Sequence, residues 1–137
     1  MKRNGFTFIE MLVVVAIIAV LTAVGVTNFR VANRKARDGK RQGDLQQIRA
    51  ALELYRTDEK IYPLSVTFGE TIESATTTYM DNVPNDPLED YNYYYDSSDG
   101  TIYTLCAALE LDITGSCGGA VAGACGDDCN YEINNPL

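Results

Sequence analysis

Between Met11 and Phe29 run nineteen residues without a formal charge, most of them Val, Ala, Ile or Leu. As a helix, a run of that length extends about 28 Å, close to the thickness of a bilayer's hydrocarbon core. It is apolar all round, which marks a segment covered by lipid or by other chains rather than a surface helix. Thr22 to Asn28 is softer, with Gly25 and two threonines. From Arg30 the chain becomes charge-rich. Leu45, Ile48, Leu52 and Tyr55 recur at three- and four-residue spacing, with Ala51 on the same stripe, so one helical face can sit on a packed head. Asp44, Arg49, Glu53 and Arg56 lie between them and are expected on the exposed face. Asp58 to Pro63 closes the helix, because Pro63 disfavours helical geometry at Tyr62. Phe6 to about Asp58 therefore reads as one helix of roughly 80 Å. A single small head cannot bury it all.

The remainder reads as loop and strand. Thr67 to Thr78 is a polar, Thr-rich connection with room for a short helix, and Pro84 and Pro87 bracket a turn. Tyr91 to Tyr95 and Thr101 to Leu109 look like strands joined through Asp96-Ser97-Ser98-Asp99-Gly100, whose Asp-Gly favours a turn. Tyr131 to Ile133 follows as a third strand. The fold class is α+β: a long N-terminal α-helix, transmembrane then amphipathic, packed on a small antiparallel β-sheet head. Its segments are residues 1–5, a basic leader; 6–29, the transmembrane part; 30–60, the amphipathic continuation; and 61–137, an acidic head.

Four cysteines, Cys106, Cys117, Cys125 and Cys129, all lie late in the chain. Their spacing is not that of a paired zinc motif, and the sequence has no histidine to complete a site. Downstream of a membrane segment, in a Gly-rich stretch, they read as two disulfides formed in an oxidising compartment. Four cysteines allow three pairings. The nested one, Cys106–Cys129 around Cys117–Cys125, best suits a hairpin.

The net charge of -8 is unevenly spread. All eleven Lys and Arg residues lie at or before Lys60, and thirteen Asp and Glu follow without a single cation. Such a head is a poor partner for nucleic acid, whose phosphates need Lys or Arg. Two readings of the acidic surface stand side by side: solvation, or an acidic head facing the basic middle of a neighbouring copy.

The start of the chain, Lys2-Arg3-Asn4-Gly5-Phe6-Thr7-Phe8-Ile9-Glu10, is the most informative stretch. A secretory signal explains the basic start but not so long an apolar run. A plain anchor does not explain Glu10, because a carboxylate in the bilayer is costly. A cut between Gly5 and Phe6 would create an α-amine four residues before Glu10. A buried ammonium and a buried carboxylate are each better tolerated as a pair, within one helix or between two staggered ones.

Gly5-Phe6-Thr7-Phe8-Ile9-Glu10 followed by an apolar helix resembles the class III signal of type IV prepilins and type II secretion pseudopilins. The resemblance implies that a prepilin peptidase cleaves after Gly5 and methylates Phe6, and that Glu10 promotes assembly into a helical filament. It implies as partners copies of the same chain, the peptidase, an inner-membrane assembly platform and, before assembly, membrane lipid. No cofactor is implied. Ala36-Arg37-Asp38, Asp44 to Ile48, Ala51 to Tyr55 and Tyr62-Pro63 are also similar to the helix end of this family. Asp86-Pro87 and Tyr91 to Tyr95 resemble its strand entry.

The departures are specific. The family usually has proline where this chain has Thr27, and often glycine where it has Ala19, so a continuous helix is expected here. Its major pseudopilins usually lack cysteines and carry calcium in the head, so the Cys106–Cys129 region is closer to disulfide-closed pilins. The resemblance places the precursor in the inner membrane with its head outside and the mature chain in a surface pilus or, alternatively, a periplasmic pseudopilus. Arg30, Arg34, Lys35, Arg37, Lys40 and Arg41 follow the apolar run, against the usual cytoplasmic bias of basic flanks. They are expected near lipid headgroups before assembly and against acidic heads afterwards.

No catalytic or metal-binding constellation is read from the sequence. Asp96 to Gly100 fails the EF-hand pattern, since Tyr95 and Ser97 stand where Asp or Asn is wanted, and a turn is the better reading. Asp127-Asp128 is ambiguous. The expected function is structural, as a major type IV pilin serving adhesion, motility or DNA uptake, with a major pseudopilin driving protein secretion as the alternative.

Overall fold

The computed structural model describes residues 5–111, 115–118, 123–126 and 128–135. The chain forms two compact units, Met1–Arg34 and Lys35–Leu137. One helix, α1 (Phe8–Glu59), runs through the boundary without a break, including at Gly25. The expected uninterrupted helix is therefore present.

The first unit is the start of α1. Every side chain described in it is exposed, with Phe6 at 77% and Phe8 at 85%. This is a helix long and apolar enough to cross a membrane.

The second unit packs the rest of α1 on two small sheets. Leu45, Ile48, Ala51 and Leu52 are buried among Tyr62, Ile72, Val83, Tyr93, Tyr103, Leu105 and Ile133. The apolar stripe read from the sequence is this face. The helix stops at Glu59 because Lys60 takes a left-handed φ of 69°. Its N–H still donates to the Arg56 carbonyl at 2.9 Å, and its Nζ donates to the Thr57 carbonyl at 2.6 Å, satisfying open helix-end acceptors.

The three-stranded sheet is antiparallel, in the order β3 (Tyr94–Asp96), β4 (Thr104–Ala107), β5 (Tyr131–Asn134). Tyr95 pairs with Leu105, and Leu105 with Ile133. The three expected strands are there, but β3 and β4 are shorter than read. The Tyr91 N–H turns back to the Leu88 carbonyl, and Asn92 donates to the Cys125 carbonyl instead of a strand. The β3–β4 link spans the seven residues 97–103 rather than Asp96 to Gly100 as read. Gly100 supplies its positive φ of 74° and its carbonyl accepts from the Tyr62 N–H at 2.8 Å. Asp99 closes the turn by accepting from the Thr101 N–H and hydroxyl.

Two expectations need correction. The 67–78 connection carries no helix but a small sheet, β1 (Ile72–Glu73) on β2 (Thr78–Met80). Its threonines are β-branched and favour extended backbone, and Ile72 is buried in the core. Asp44 is not on the exposed face. It is buried and accepts the Tyr93 hydroxyl at 2.8 Å. Burial, followed by the Asp44 bond, pushes the Tyr93 hydroxyl pKa well above its ordinary value.

Arg37 and Arg41 extend the buried stripe toward the N-terminus, and the head supplies their counterions. Arg41 is fully buried and binds Asp86 through two N–H groups, at 2.7 and 3.0 Å, with the Asp86 side chain equally buried. It also donates to Asp38 at 2.9 Å and Glu110 at 3.0 Å, and lies 4.9 Å from the Tyr91 ring centre. Arg37 binds Glu110 through two bonds of 2.6 and 2.7 Å. Asp38 accepts the backbone N–H groups of Glu110 and Leu111. The expected basic neck therefore loses Arg37, half-buried, and Arg41, fully buried, both paired with carboxylates of their own head.

Burial opposes the Arg41 charge, but the bonds to Asp86 and Glu110 outweigh it and raise its pKa. Arg37 holds the Glu110 carboxyl down at about 2, below its ordinary 4.5. A carboxylate lowered in the folded state contributes stability above its unfolded pKa and loses it as pH falls through the folded one. Glu110 should thus stabilise the head above about pH 4.5 and progressively less toward pH 2. Melts followed by near-UV circular dichroism should show Glu110→Gln flattening this acid limb. Arg41→Ala should cost about 3–5 kcal/mol in chemical denaturation, because Asp86 is left buried and unpaired. An Arg41→Ala midpoint equal to that of the wild type would contradict this account.

Candidate functional site

The chain's candidate site is the start of α1. Phe6 and Thr7 precede the helix and Phe8 opens it. The first turn leaves backbone N–H groups without helical partners. Thr7 and Glu10 satisfy two of them in a reciprocal capping box. One Glu10 oxygen accepts from the Thr7 N–H at 2.7 Å and the Thr7 hydroxyl at 2.8 Å, and the Glu10 N–H reaches back to that hydroxyl at 3.4 Å. Among the described residues, the other Glu10 oxygen, Oε1, has no hydrogen bond.

Glu10 therefore has a local partner before any cut is made. The sequence reading paired it with an amine at Phe6, and no bond joins Phe6 to Glu10 in the intact chain. Thr7 is the residue that reading missed. Thr-x-x-Glu ahead of an apolar run is itself a helix-start signature and would have revealed it. Beyond the cap, Leu12, Val13, Ala16, Ile17, Val20 and Leu21 line an open apolar groove along one side of α1. No catalytic residue was expected here. The residues of this groove carry no titratable or nucleophilic group.

The other predicted residues, the cysteines, lie in the head. All four sit in one cluster with Ala108, Tyr91 and Tyr94. Their pairing is sequential, Cys106–Cys117 and Cys125–Cys129, with Cα separations of 6.2 and 5.5 Å. This corrects the nested expectation. The Cys125 carbonyl is held by the Asn92 N–H, which seats the short Cys125–Cys129 loop beside residues 90–92, away from Cys117 in sequence. Gly126, at φ 82°, lies so close to the Asp90 carbonyl that no side chain fits between them. The Glu132 carboxylate approaches Cys106 and Cys117 within 4.8 Å. Both sulfurs are in a disulfide, so neither offers a thiolate to a metal. Asp127 lies outside the described residues, as do Lys2 and Arg3.

Residues 1–26 match the family model of the prokaryotic N-terminal methylation motif. The chain is 30% identical to the type II secretion system core protein G of Vibrio cholerae, over 98% of this chain and 95% of that protein. It is 31% identical to the protein of the same name from Escherichia coli, over 63% of this chain and 67% of that one. It is also 40% identical to the type IV wide pilus major component PilA4 of Thermus thermophilus, over 58% of this chain and 72% of that one. No solved structure gives a significant match. With the methylation motif at its start and full-length similarity behind it, the chain belongs to the type IV pilin and pseudopilin family.

Peptide mapping of unreduced protein should recover Cys106 joined to Cys117 and Cys125 joined to Cys129. Alkylation of unreduced protein should label none of the four. On loop length alone, losing the Cys106–Cys117 bridge should cost roughly 1 kcal/mol more than losing Cys125–Cys129. A Cys106–Cys129 peptide would restore the nested pairing.

Proposed function

We propose that the chain is a structural subunit of a type IV pilus, released from its leader after Gly5, methylated at Phe6 and assembled through the 6–29 helix. Residues 1–5 act as the leader, 30–60 as the head-bearing helix and 61–137 as the head. The carrying observation is the register at the start of α1, where Gly5 and Phe6 stand directly before, and Glu10 in the first turn of, an apolar helix that its own unit leaves exposed. Cleavage places an ammonium on Phe6, and the unbonded oxygen of Glu10 is then available to the Phe6 amine of a staggered copy. In a lipid-like filament core neither charge is tolerated without the other.

The disulfide-closed head supports a surface pilus, and the Thermus relative is a pilus component by its name. A second reading, a pseudopilus subunit driving protein secretion, is supported by the full-length similarity to the Vibrio protein. In both readings the chain is a filament subunit rather than an enzyme. Its precursor lies in the inner membrane with the head outside, and its partners are the prepilin peptidase, the assembly platform and its own copies.

Intact mass of the native protein should give an N-terminus at methylated Phe6, and Gly5→Val should keep the leader attached. Glu10→Ala should leave processed protein in the membrane and sharply reduce filaments in sheared surface material viewed by electron microscopy. A mature chain beginning at Met1 would remove the processing step. Filament numbers unchanged in Glu10→Ala would remove its role in assembly. Processed protein with no surface filaments in the wild type would favour the secretion reading.

A further inference from the structure

The head-bearing part of α1 has an outer face that its own head does not cover. Arg41, Leu45, Ile48 and Leu52 point inward and are buried. Ala36, Gly39, Lys40, Gly43, Gln46, Gln47 and Ala50 are all exposed. Lys35 is also exposed, on the flank of this face opposite Lys40. Open space surrounds the position of a Cβ at both Gly39 and Gly43, so another surface can approach the backbone closely there. Among the described residues, neither Lys35 nor Lys40 has an ion-pair partner, whereas Arg37 and Arg41 on the inner side are fully engaged.

The charge of the remaining chain indicates what fits this face. Beyond Lys60 there are thirteen carboxylates and no cation. Asp86 and Glu110 are used internally. Glu70, Glu73, Asp81, Glu89 and Asp90 are exposed on the head. Copies that have lost Lys2 and Arg3 with the leader carry a side-chain charge of -10 each and repel one another head to head when brought to filament spacing, since such repulsion acts across about 8 Å at physiological salt. Placing the lysine face of one copy against the acidic surface of the next converts that repulsion into attraction.

Building on the filament reading above, we propose that the outer face of α1 around Lys35, Gly39, Lys40 and Gly43 is the docking surface for the acidic head of an adjacent copy. The two lysines select the partner by charge, and the glycines allow its close approach. Complementary charge of this kind sets orientation and register more than raw affinity.

The test uses filaments grown from a mixture of unlabelled and nitrogen-15-labelled full-length chains, treated with a carbodiimide that joins lysines directly to carboxylates. Mass spectrometry should find Lys35 or Lys40 joined to carboxylates of residues 61–137 in peptides of mixed isotope. The double variant Lys35→Glu/Lys40→Glu should lower filament yield at least tenfold while processed subunit in the membrane stays at the wild-type level. Lys35→Arg/Lys40→Arg should assemble normally. Cross-links confined to single chains, or wild-type filament yield in the charge-reversed variant, would overturn the proposal. Loss of the charge-reversed subunit from the membrane would also overturn it, assigning the lysines to lipid headgroups. Absence of wild-type filaments would instead remove the filament reading on which the proposal rests.

Discussion

The apolar surface of the first half of α1 has nothing in its own unit to cover it. From Phe6 to Phe29 the described side chains are exposed, and burying a Val, Leu, Ile or Phe side chain is worth about 1.5–3 kcal/mol. A helix with that much unrealised burial does not stay in water. Lipid can cover it, and so can the same helix of other copies. The two environments are alike in polarity, so transfer between them requires no change in the apolar residues. What differs is the availability of a counter-charge for Glu10. The Thr7 cap satisfies one carboxylate oxygen within the chain, which eases the carboxylate's placement beside an apolar run while leaving an oxygen for a neighbour. In the proposed reading, folding and assembly draw on different atoms of one side chain.

In the second unit the same helix meets the opposite problem, a full positive charge within packed protein. Arg41 is tolerated because every carboxylate in its reach is oriented on its guanidinium or on an adjacent backbone N–H. Asp86 also accepts from the Leu88 N–H, and Asp38 from those of Glu110 and Leu111. A buried ion cluster of this kind contributes little net stability compared with apolar packing. Its effect lies in position, since it joins α1 to the 86–88 turn and to the exit of β4. Ridges of Leu and Ile can slide by a turn and still pack, whereas the two-bond Arg41–Asp86 contact has only one register.

Helix periodicity, the three strands of the second sheet and the N-terminal signature were legible in the sequence because each rests on local chemistry. The stripe of Leu45, Ile48 and Leu52 is buried as read, and Tyr95, Leu105 and Ile133 align across the sheet. Asp44 and Arg41 were not legible, though both lie on the buried stripe. A pattern that counts apolar residues assigns charged ones to water unless their partners are known, and Tyr93 and Asp86 are more than forty positions away. The cysteine pairing failed for a related reason. Spacing limits which loops can close but does not show that the Cys125 carbonyl is held by Asn92. The 67–78 segment was ambiguous because it is polar, and the burial of Ile72 decides it. Thr7 was readable from its spacing to Glu10 and was passed over for the more conspicuous carboxylate.

The two bridges and the ion cluster act on the same stretch of chain. Between Ala107 and Tyr131 the segment is rich in glycine and small residues, and among its described residues only Ala108, Leu109 and Cys125 are buried. Those buried side chains offset only part of the conformational entropy of the described residues, at about 1–2 kcal/mol per residue fixed. Covalent and ionic ties take over that role. Cys106–Cys117 shortens the free span at its start, and Asp38 fixes the backbone of Glu110 and Leu111 within that loop. Asn130 then closes its end, with its side chain bonding the Leu109 N–H and carbonyl and its own N–H donating to Ala107. The Asn130 bonds to Leu109 and Ala107 bring Tyr131 opposite Ala107, where β5 pairs with β4. The last strand of the head is thus held by covalent and polar ties as well as by its one buried apolar residue, Ile133.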